Sequence, residues 1–356
     1  MSPQEYIDRI QSEVGERFRG AERVLTFDRY LEDFASQPGP HLRTAPQYLL
    51  EMIDSFGTRR SARVGKEAVR HCVFDLTSEG REDALVGQER AQNALYQYLV
   101  SFAKRGQADK MLLFHGPNGS GKTTVIDCIM RGLEAFAQKP EGALYTFNWI
   151  FTDREGKLER IGFDPESEGL EGLGTYAHLD EKDVSARFSC ELRDSPLFLI
   201  PKDLRARLIE DALEKHPVEK YPDFRYQYYV EADLCQKCRR IYDSLLLAYQ
   251  GDWKKLLRHV QVERFYPSRR YRIGAVSIEP QGNIDASTRP ILSENSWKIP
   301  SMLRNISLYE PVGDLIDANR GVLEYSDFLK RPHEANKYLL TTCERATASI
   351  GNCMVY

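Results

Sequence analysis

Apolar residues recur at helical spacing through much of the first 80 positions. Tyr6, Ile7, Ile10, Val14 and Phe18 form one such series, Tyr30, Leu31 and Phe34 a second, and Tyr48, Leu49, Met52 and Ile53 a third. Gln37-Pro38-Gly39-Pro40 interrupts the pattern, and Ser55-Phe56-Gly57 closes the third helix. Residues 1–80 thus read as a helical cap or docking region. Further on, Gly87-Gln88-Glu89 opens a helix whose apolar face holds Ala91, Ala94, Leu95, Tyr98 and Leu99. Lys110 to His115 reads as a short buried strand, and Val125, Ile126, Cys128, Ile129, Leu133 and Phe136 mark another amphipathic helix.

Between about 140 and 275 the pattern is less regular and rich in aromatic and charged residues. Leu197 to Ile200 predicts a strand stopped by Pro201, while Asp203–Leu213 and Cys238–Tyr249 predict helices. Arg258 to Tyr266 alternates like a strand, with Tyr271 to Val276 as its expected pairing partner. Beyond residue 276, Arg320 to Tyr325 predicts a strand, followed by a helix through Phe328, Leu329 and Tyr338–Leu340. No internal repeat is visible.

The segment between the strand at 110–115 and the next helix supplies the chemistry. Gly116-Pro117-Asn118-Gly119-Ser120-Gly121-Lys122-Thr123 satisfies G-x-x-x-x-G-K-[ST] in full, with Thr124 next. Glycines let consecutive backbone N–H groups wrap closely around a phosphate, and the positive end of the following helix dipole points at the same anion. Lys122 would reach the β- and γ-phosphoryl oxygens, Thr123 would ligate Mg²⁺, and Thr124 would add a contact to the α-phosphate. An apolar strand before the motif and an amphipathic helix after it are the setting the mechanism requires. Nucleoside triphosphate binding is therefore expected at Gly116–Thr124.

Such a loop needs a carboxylate at the end of a neighbouring strand, to hold the metal's hydration shell and polarise water. Gly321-Val322-Leu323-Glu324-Tyr325-Ser326-Asp327 is the best match, offering either Asp327 at the strand end or Glu324 within it, with Lys122 as their catalytic partner. Asp314 and Asp317 are weaker candidates. The long separation between loop and acid places an insertion at about 145–275.

Cys235-Gln236-Lys237-Cys238 is a lone C-x-x-C. Zinc would need two more ligands, for which Cys190 and then His216 or His259 are candidates; the plainer reading is a pair of reduced thiols at a helix start. Arg258, His259, Arg264, Arg269, Arg270 and Arg272 are interleaved with Phe265, Tyr266 and Tyr271. That mixture suits nucleic acid or phosphorylated protein, but solvated strand faces and a turn explain it more simply. No G-x-S-x-G nucleophile motif is present.

Composition narrows the class. The chain has 356 residues, 42% of them apolar and 29% charged, which excludes an intrinsically disordered chain. A net charge of −4 gives no electrostatic reason to expect nucleic acid. No apolar run approaches a membrane span, and Met1-Ser2-Pro3-Gln4-Glu5 is not a signal region. Seven scattered cysteines fit a reducing, cytoplasmic setting. The expected fold is α/β: a P-loop core of parallel strands flanked by helices, with a helical N-terminal region and a long insertion.

The ordered motifs resemble the PrkA family of bacterial serine protein kinases, in their AAA-type ATPase region. Thr26-Phe27-Asp28-Arg29-Tyr30-Leu31, Arg43-Thr44-Ala45 and Met52-Ile53 match the helical lead-in, and Leu112 to Thr123 the phosphate loop. Asp194-Ser195-Pro196-Leu197-Phe198-Leu199-Ile200-Pro201 with Cys190 before it, and Val262-Glu263-Arg264 followed by Arg272-Ile273-Gly274, match further segments. Ala318-Asn319-Arg320-Gly321-Val322-Leu323-Glu324-Tyr325-Ser326-Asp327-Phe328-Leu329-Lys330 is the most specific. The resemblance implies an ATP- and Mg²⁺-dependent serine/threonine kinase acting on protein substrates, and a homo-oligomer. It also implies a separate C-terminal kinase-like region, whereas no V-A-I-K, H-R-D or D-F-G signature occurs here. The expected organisation is a helical region at 1–80 and an ATPase core at 81–356 that is truncated within its own sheet.

Overall fold

The computed structural model describes residues 3–20, 23–63, 66–76, 85, 87–106, 108, 110–152, 174–218, 226–279, 287–291, 303, 308–330, 348–350 and 353–355. The chain opens with α1 (Pro3–Gly20), β1 (Val24–Leu25), α2 (Phe27–Ser36), α3 (Pro38–His41) and α4 (Ala45–Ser55). A hairpin of β2 (Thr58–Arg63) and β3 (Lys66–His71) leads toward α5 (Glu89–Arg105) and α6 (Lys122–Ala137). Then come β4 (Leu144–Phe151), β5 (Ala186–Ser189), α7 (Lys202–Lys215), α8 (Gln227–Glu231), α9 (Gln236–Ala248), α10 (Trp253–Leu257) and β6 (Val260–Phe265). The remaining elements are β7 (Ala275–Ile278), β8 (Ser287–Pro290), β9 (Tyr309–Val312), α11 (Asp314–Asp317), β10 (Val322–Tyr325), β11 (Ala348–Ile350) and β12 (Cys353–Val355). No helix among the described residues is long and apolar enough to cross a membrane.

The early helices form as their periodicity predicts. Thr26 caps α2 by accepting the Arg29 amide, and Phe27, Tyr30 and Phe34 are buried on one face. Pro46 sits in the first turn of α4, where a missing N–H costs nothing, and Gln47 Oε1 accepts the Thr44 amide at 2.7 Å. Two expectations for this region fail. Pro38 starts the short helix α3 rather than merely breaking the pattern, because proline is pre-set for a first helical turn. Residues 58–63 and 66–71 pair antiparallel, with Thr58 opposite His71, although their charged sequence shows no alternation.

Two large cores follow. The first surrounds a four-stranded sheet of order β1-β6-β4-β5, antiparallel throughout. Phe147, Trp149, Val260 and Val262 from its centre pack with Phe27, Tyr30 and Phe34 of α2, Ile209 of α7, and Cys238, Ile241 and Leu245 of α9. Residues from the N-terminal region and from 147–262 therefore share one core. The second core joins Tyr48, Met52 and Ile53 of α4, Leu95, Leu99 and Phe102 of α5, and Val125, Ile129, Leu133 and Phe136 of α6. In α5 the buried stripe runs through Gln92, Leu95, Leu99 and Phe102, while Ala91, Ala94 and Tyr98 face outward, so the expected face is rotated.

The protein is mixed α/β, but its strands correct the expected parallel sheet. Among the described residues only β7 and β10 pair in parallel, Val322 opposite Ala275 and Tyr325 opposite Ile278. Residues 111–117 join no ladder: Leu112 and Phe114 pack at the edge of the second core, while Leu113 is 61% exposed. Leu197 to Ile200 is no strand either, because Pro196 begins a 3₁₀ turn over Pro196–Leu199 that Ser195 Oγ caps. Tyr271–Val276 does not pair with β6. Gly274 turns the chain at a φ of 61°, and the following residues join β10 instead. The helix expected through Tyr338–Leu340 lies outside the described residues; Phe328–Lys330 is a 3₁₀ turn.

Candidate nucleotide and metal sites

The Gly116–Thr123 motif lies at the start of α6, with Gly121 as the helix's N-terminal cap. Gly119 and Gly121 have φ values of 77° and 84°, a region that L side chains avoid. A Cβ on Gly116 would stand 2.9 Å from Ser120 Oγ. Lys122 folds back over the loop, its Nζ donating to the Gly116 and Pro117 carbonyl oxygens, each at 2.8 Å, with Ser120 Oγ at 3.5 Å. Thr123 is exposed beside it, and Thr124 is half-buried. Backbone N–H groups at a helix start, a cation held by neutral loop oxygens and an accessible hydroxyl suit a magnesium–triphosphate group.

The two candidate acids have different surroundings. Glu324 lies within β10 and accepts a hydrogen bond from Ser277 Oγ of β7. That hydroxyl also lies 3.9 Å from Met130 Sδ of α6, so the parallel pair abuts the phosphate-loop helix. Asp327 stands just past the C-terminal end of β10, at a φ of 45°, with its exposed carboxylate 2.7 Å from Lys330 Nζ. Asp314 and Asp317 bound α11, Asp314 just past the end of β9, whose pairing with β8 is antiparallel; Asp314 pairs with Arg272, and burial raises the Asp317 carboxyl above its ordinary range.

The turn before β10 is tightly tied. Arg193 Nη1 donates to the carbonyl oxygens of Ile316, Asp317 and Asn319 at 3.2–3.3 Å. Asn319 returns a bond to the Leu192 carbonyl, and Arg320 donates to the carbonyls of Tyr145 and Arg193.

The C-x-x-C opens α9, with Cys235 as its N-terminal cap. The structure brings Cys190 to it, as the sequence suggested, but the fourth member is Asp194. Ligand atoms of Cys190, Asp194, Cys235 and Cys238 all lie within 4.8 Å of one another. His216 is exposed at the end of α7, outside this group. His259 is fully buried elsewhere, its Nδ1 2.8 Å from the Ile150 carbonyl and its Nε2 2.7 Å from the Tyr249 hydroxyl. Neither histidine completes the set. In the sequence Asp194 stands out only as the start of the family-matching segment Asp194–Pro201; its spacing of four from Cys190 is the signal that points to the cluster. Burial pushes the Cys190 and Cys238 thiols and the Asp194 carboxyl well up, while hydrogen bonds from the Cys190 and Cys238 thiols hold Cys235 well down.

Several members of the basic aromatic run have partners within the fold. Arg264 is buried and donates to the Ala137 and Lys139 carbonyls at 2.7 Å, satisfying the end of α6. Arg269 pairs with Asp127 at 2.7 Å, and Arg270 lies over its neighbour Tyr271.

The chain resembles two known proteins in sequence. It is 23% identical over 356 aligned positions to the ATP-dependent protease PrkA of Bacillus subtilis, covering 94% of this chain and 43% of that protein. The longer likeness is to an ATP-dependent enzyme. A shorter one, 42% identical over 60 residues, is to the Holliday junction branch migration complex subunit RuvB of Methanoregula boonei, covering 17% of this chain and 18% of that protein. The chain thus spans less than half the length of the Bacillus relative. No family model and no solved structure matches. Neither relative is named a kinase, and the Bacillus one is named a protease, so the kinase expectation gains no support.

Proposed function

We propose that the chain is a P-loop ATPase module of AAA type, which binds Mg-ATP at Gly116–Thr124 and couples its turnover to work on protein substrates. The observation that carries this reading is the folded phosphate loop. Gly119 and Gly121 take left-handed conformations, α6 begins at the loop, and Lys122 is held over it by two main-chain carbonyls and the Ser120 hydroxyl.

Motif chemistry and the position of the residues support each proposed role. Loop N–H groups and the α6 dipole would receive the phosphates, and Lys122 would exchange its carbonyl partners for phosphoryl oxygens. Mg²⁺ would neutralise developing charge on the phosphates, held by Thr123 with Asp327 in its outer shell. Parallel strands of α/β proteins place ligands beyond their C-terminal ends, which is where Asp327 stands. Glu324, already engaged with Ser277, would orient the strand end and is the alternative acid.

For the use of that energy, two readings compete. ATP-driven remodelling or proteolysis is favoured by the name of the Bacillus relative; serine/threonine kinase action rests on the motif resemblance alone. A homo-oligomeric, cytoplasmic assembly is part of the same proposal. Incubating the protein with γ-labelled ATP and an unfolded protein substrate separates the readings. Free phosphate with peptide fragments or altered substrate supports the machine; label on substrate serine or threonine supports the kinase. Nucleotide binding with neither product supports a nucleotide-sensing module.

A further inference from the structure

We propose that Cys190, Asp194, Cys235 and Cys238 hold a single structural zinc ion, independently of nucleotide. The geometry is that of a closed four-ligand site. With metal–sulfur bonds of about 2.3 Å, the edge of a tetrahedral site is ~3.8 Å; Cys190 Sγ and Cys235 Sγ lie 3.9 Å apart. No disulfide joins the cysteines of this group.

The surrounding chain is arranged as metal knuckles are. The Asp194 amide donates to Cys190 Sγ at 3.3 Å, and the Cys235 amide donates to Asp194 Oδ2 at 2.8 Å. Each ligand-bearing loop therefore satisfies a ligand of the group, fixing its orientation as outer-shell bonds do in metal sites. Cys235 caps α9, whose positive dipole end faces the cluster. Lys237, one residue before Cys238, has a buried side chain whose Nζ meets Glu191 and the Ser189 carbonyl. Three sulfurs and a carboxyl gathered with so little solvent offer a cation a complete donor set, and Lys237 is already matched by Glu191.

Zinc there would have a mechanical consequence. Between Cys190 and Asp194 lie Leu192 and Arg193, the residues that grip the turn at 316–320. That turn feeds β10 and its acids. The ion would thus anchor the loop that positions Glu324 and Asp327.

The full chain, purified after expression in zinc-supplemented medium, should contain one zinc per molecule by elemental analysis, released when a mercurial reagent caps the thiols. Replacement by Co²⁺ should give a thiolate-to-cobalt charge-transfer band with tetrahedral visible bands. Cys235→Ser and Cys238→Ser should lose the metal. Asp194→Ala should release zinc to a chelator at least tenfold more readily, while unchanged retention overturns Asp194 as the fourth ligand. Since the first measurements use the unaltered protein, a variant that fails to fold does not decide the matter. Protein free of metal that takes up no Co²⁺ with its thiols reduced, a Cys190–Cys235 disulfide in the purified chain, or iron in place of zinc would each overturn the proposal.

Discussion

A Cβ added to Gly321 would lie 1.8 Å from the carbonyl oxygen of Gly274. That same oxygen accepts the Val322 amide at 2.9 Å, and the Gly274 amide donates to the Asp317 carbonyl at 2.7 Å. The turn before β10 and the turn before β7 are thus locked backbone to backbone, and the parallel pairing starts from that lock. Gly321→Ala should force the two turns apart and cost roughly 1–3 kcal/mol, as overpacking typically does. Urea unfolding of the variant should show the lower midpoint; an unchanged midpoint would mean that the approach is looser than the structure places it.

The acids beyond that lock should separate by role. Asp327→Asn should leave nucleotide affinity nearly intact and lower ATP turnover by about 10²-fold or more, the scale of losing a general base or metal-shell acid. Glu324→Gln keeps the size of the side chain and a hydrogen-bond acceptor for Ser277, so it should reduce turnover less. Steady-state phosphate release measures both, and the reverse order would assign the principal role to Glu324.

His259 predicts the direction of the acid response. Burial pushes its pKa down from 6.5 to about 4, with the bond to the Ile150 carbonyl opposing and the Arg258 charge reinforcing the shift. The neutral ring donates from Nδ1 to Ile150 and accepts the Tyr249 hydroxyl at Nε2. Between the two values the unfolded chain binds the extra proton, so stability should rise with pH across that window and fall as pH drops from 6.5 toward 4. Thermal melts of the unaltered protein and of His259→Gln should show a shallower slope for the variant over that interval. Equal slopes would remove His259 from the acid response.

The helices and the phosphate loop were legible in the sequence, because helical periodicity and the glycine–lysine spacing are local signals. Tyr30, Phe34, Met52 and Ile53 are buried as their spacing suggested. Of the four-stranded sheet only β6 was legible, Val260–Phe265 falling within the strand expected at Arg258–Tyr266. Leu144 to Phe151 forms the central strand β4 within a segment that read as irregular, since a strand buried on both faces shows no alternation. Its neighbours, β6 on one side and β5 on the other, come from far along the chain. The cysteine group was half legible. The C-x-x-C and Cys190 were visible as candidates, but only folding the Pro196 turn and α9 together could bring Asp194 to them.

The central claim is nucleotide binding through the loop at Gly116–Thr124, and Lys122 tests it most directly. Its ammonium touches only loop oxygens and is not part of either core, so Lys122→Ala should fold as the unaltered chain does. Titration of both proteins with a fluorescent ATP analogue in Mg²⁺ should show affinity at least tenfold weaker in the variant, a loss of about 1.4 kcal/mol or more, with ATP turnover abolished. Equal affinity and equal turnover in the folded variant would contradict the account.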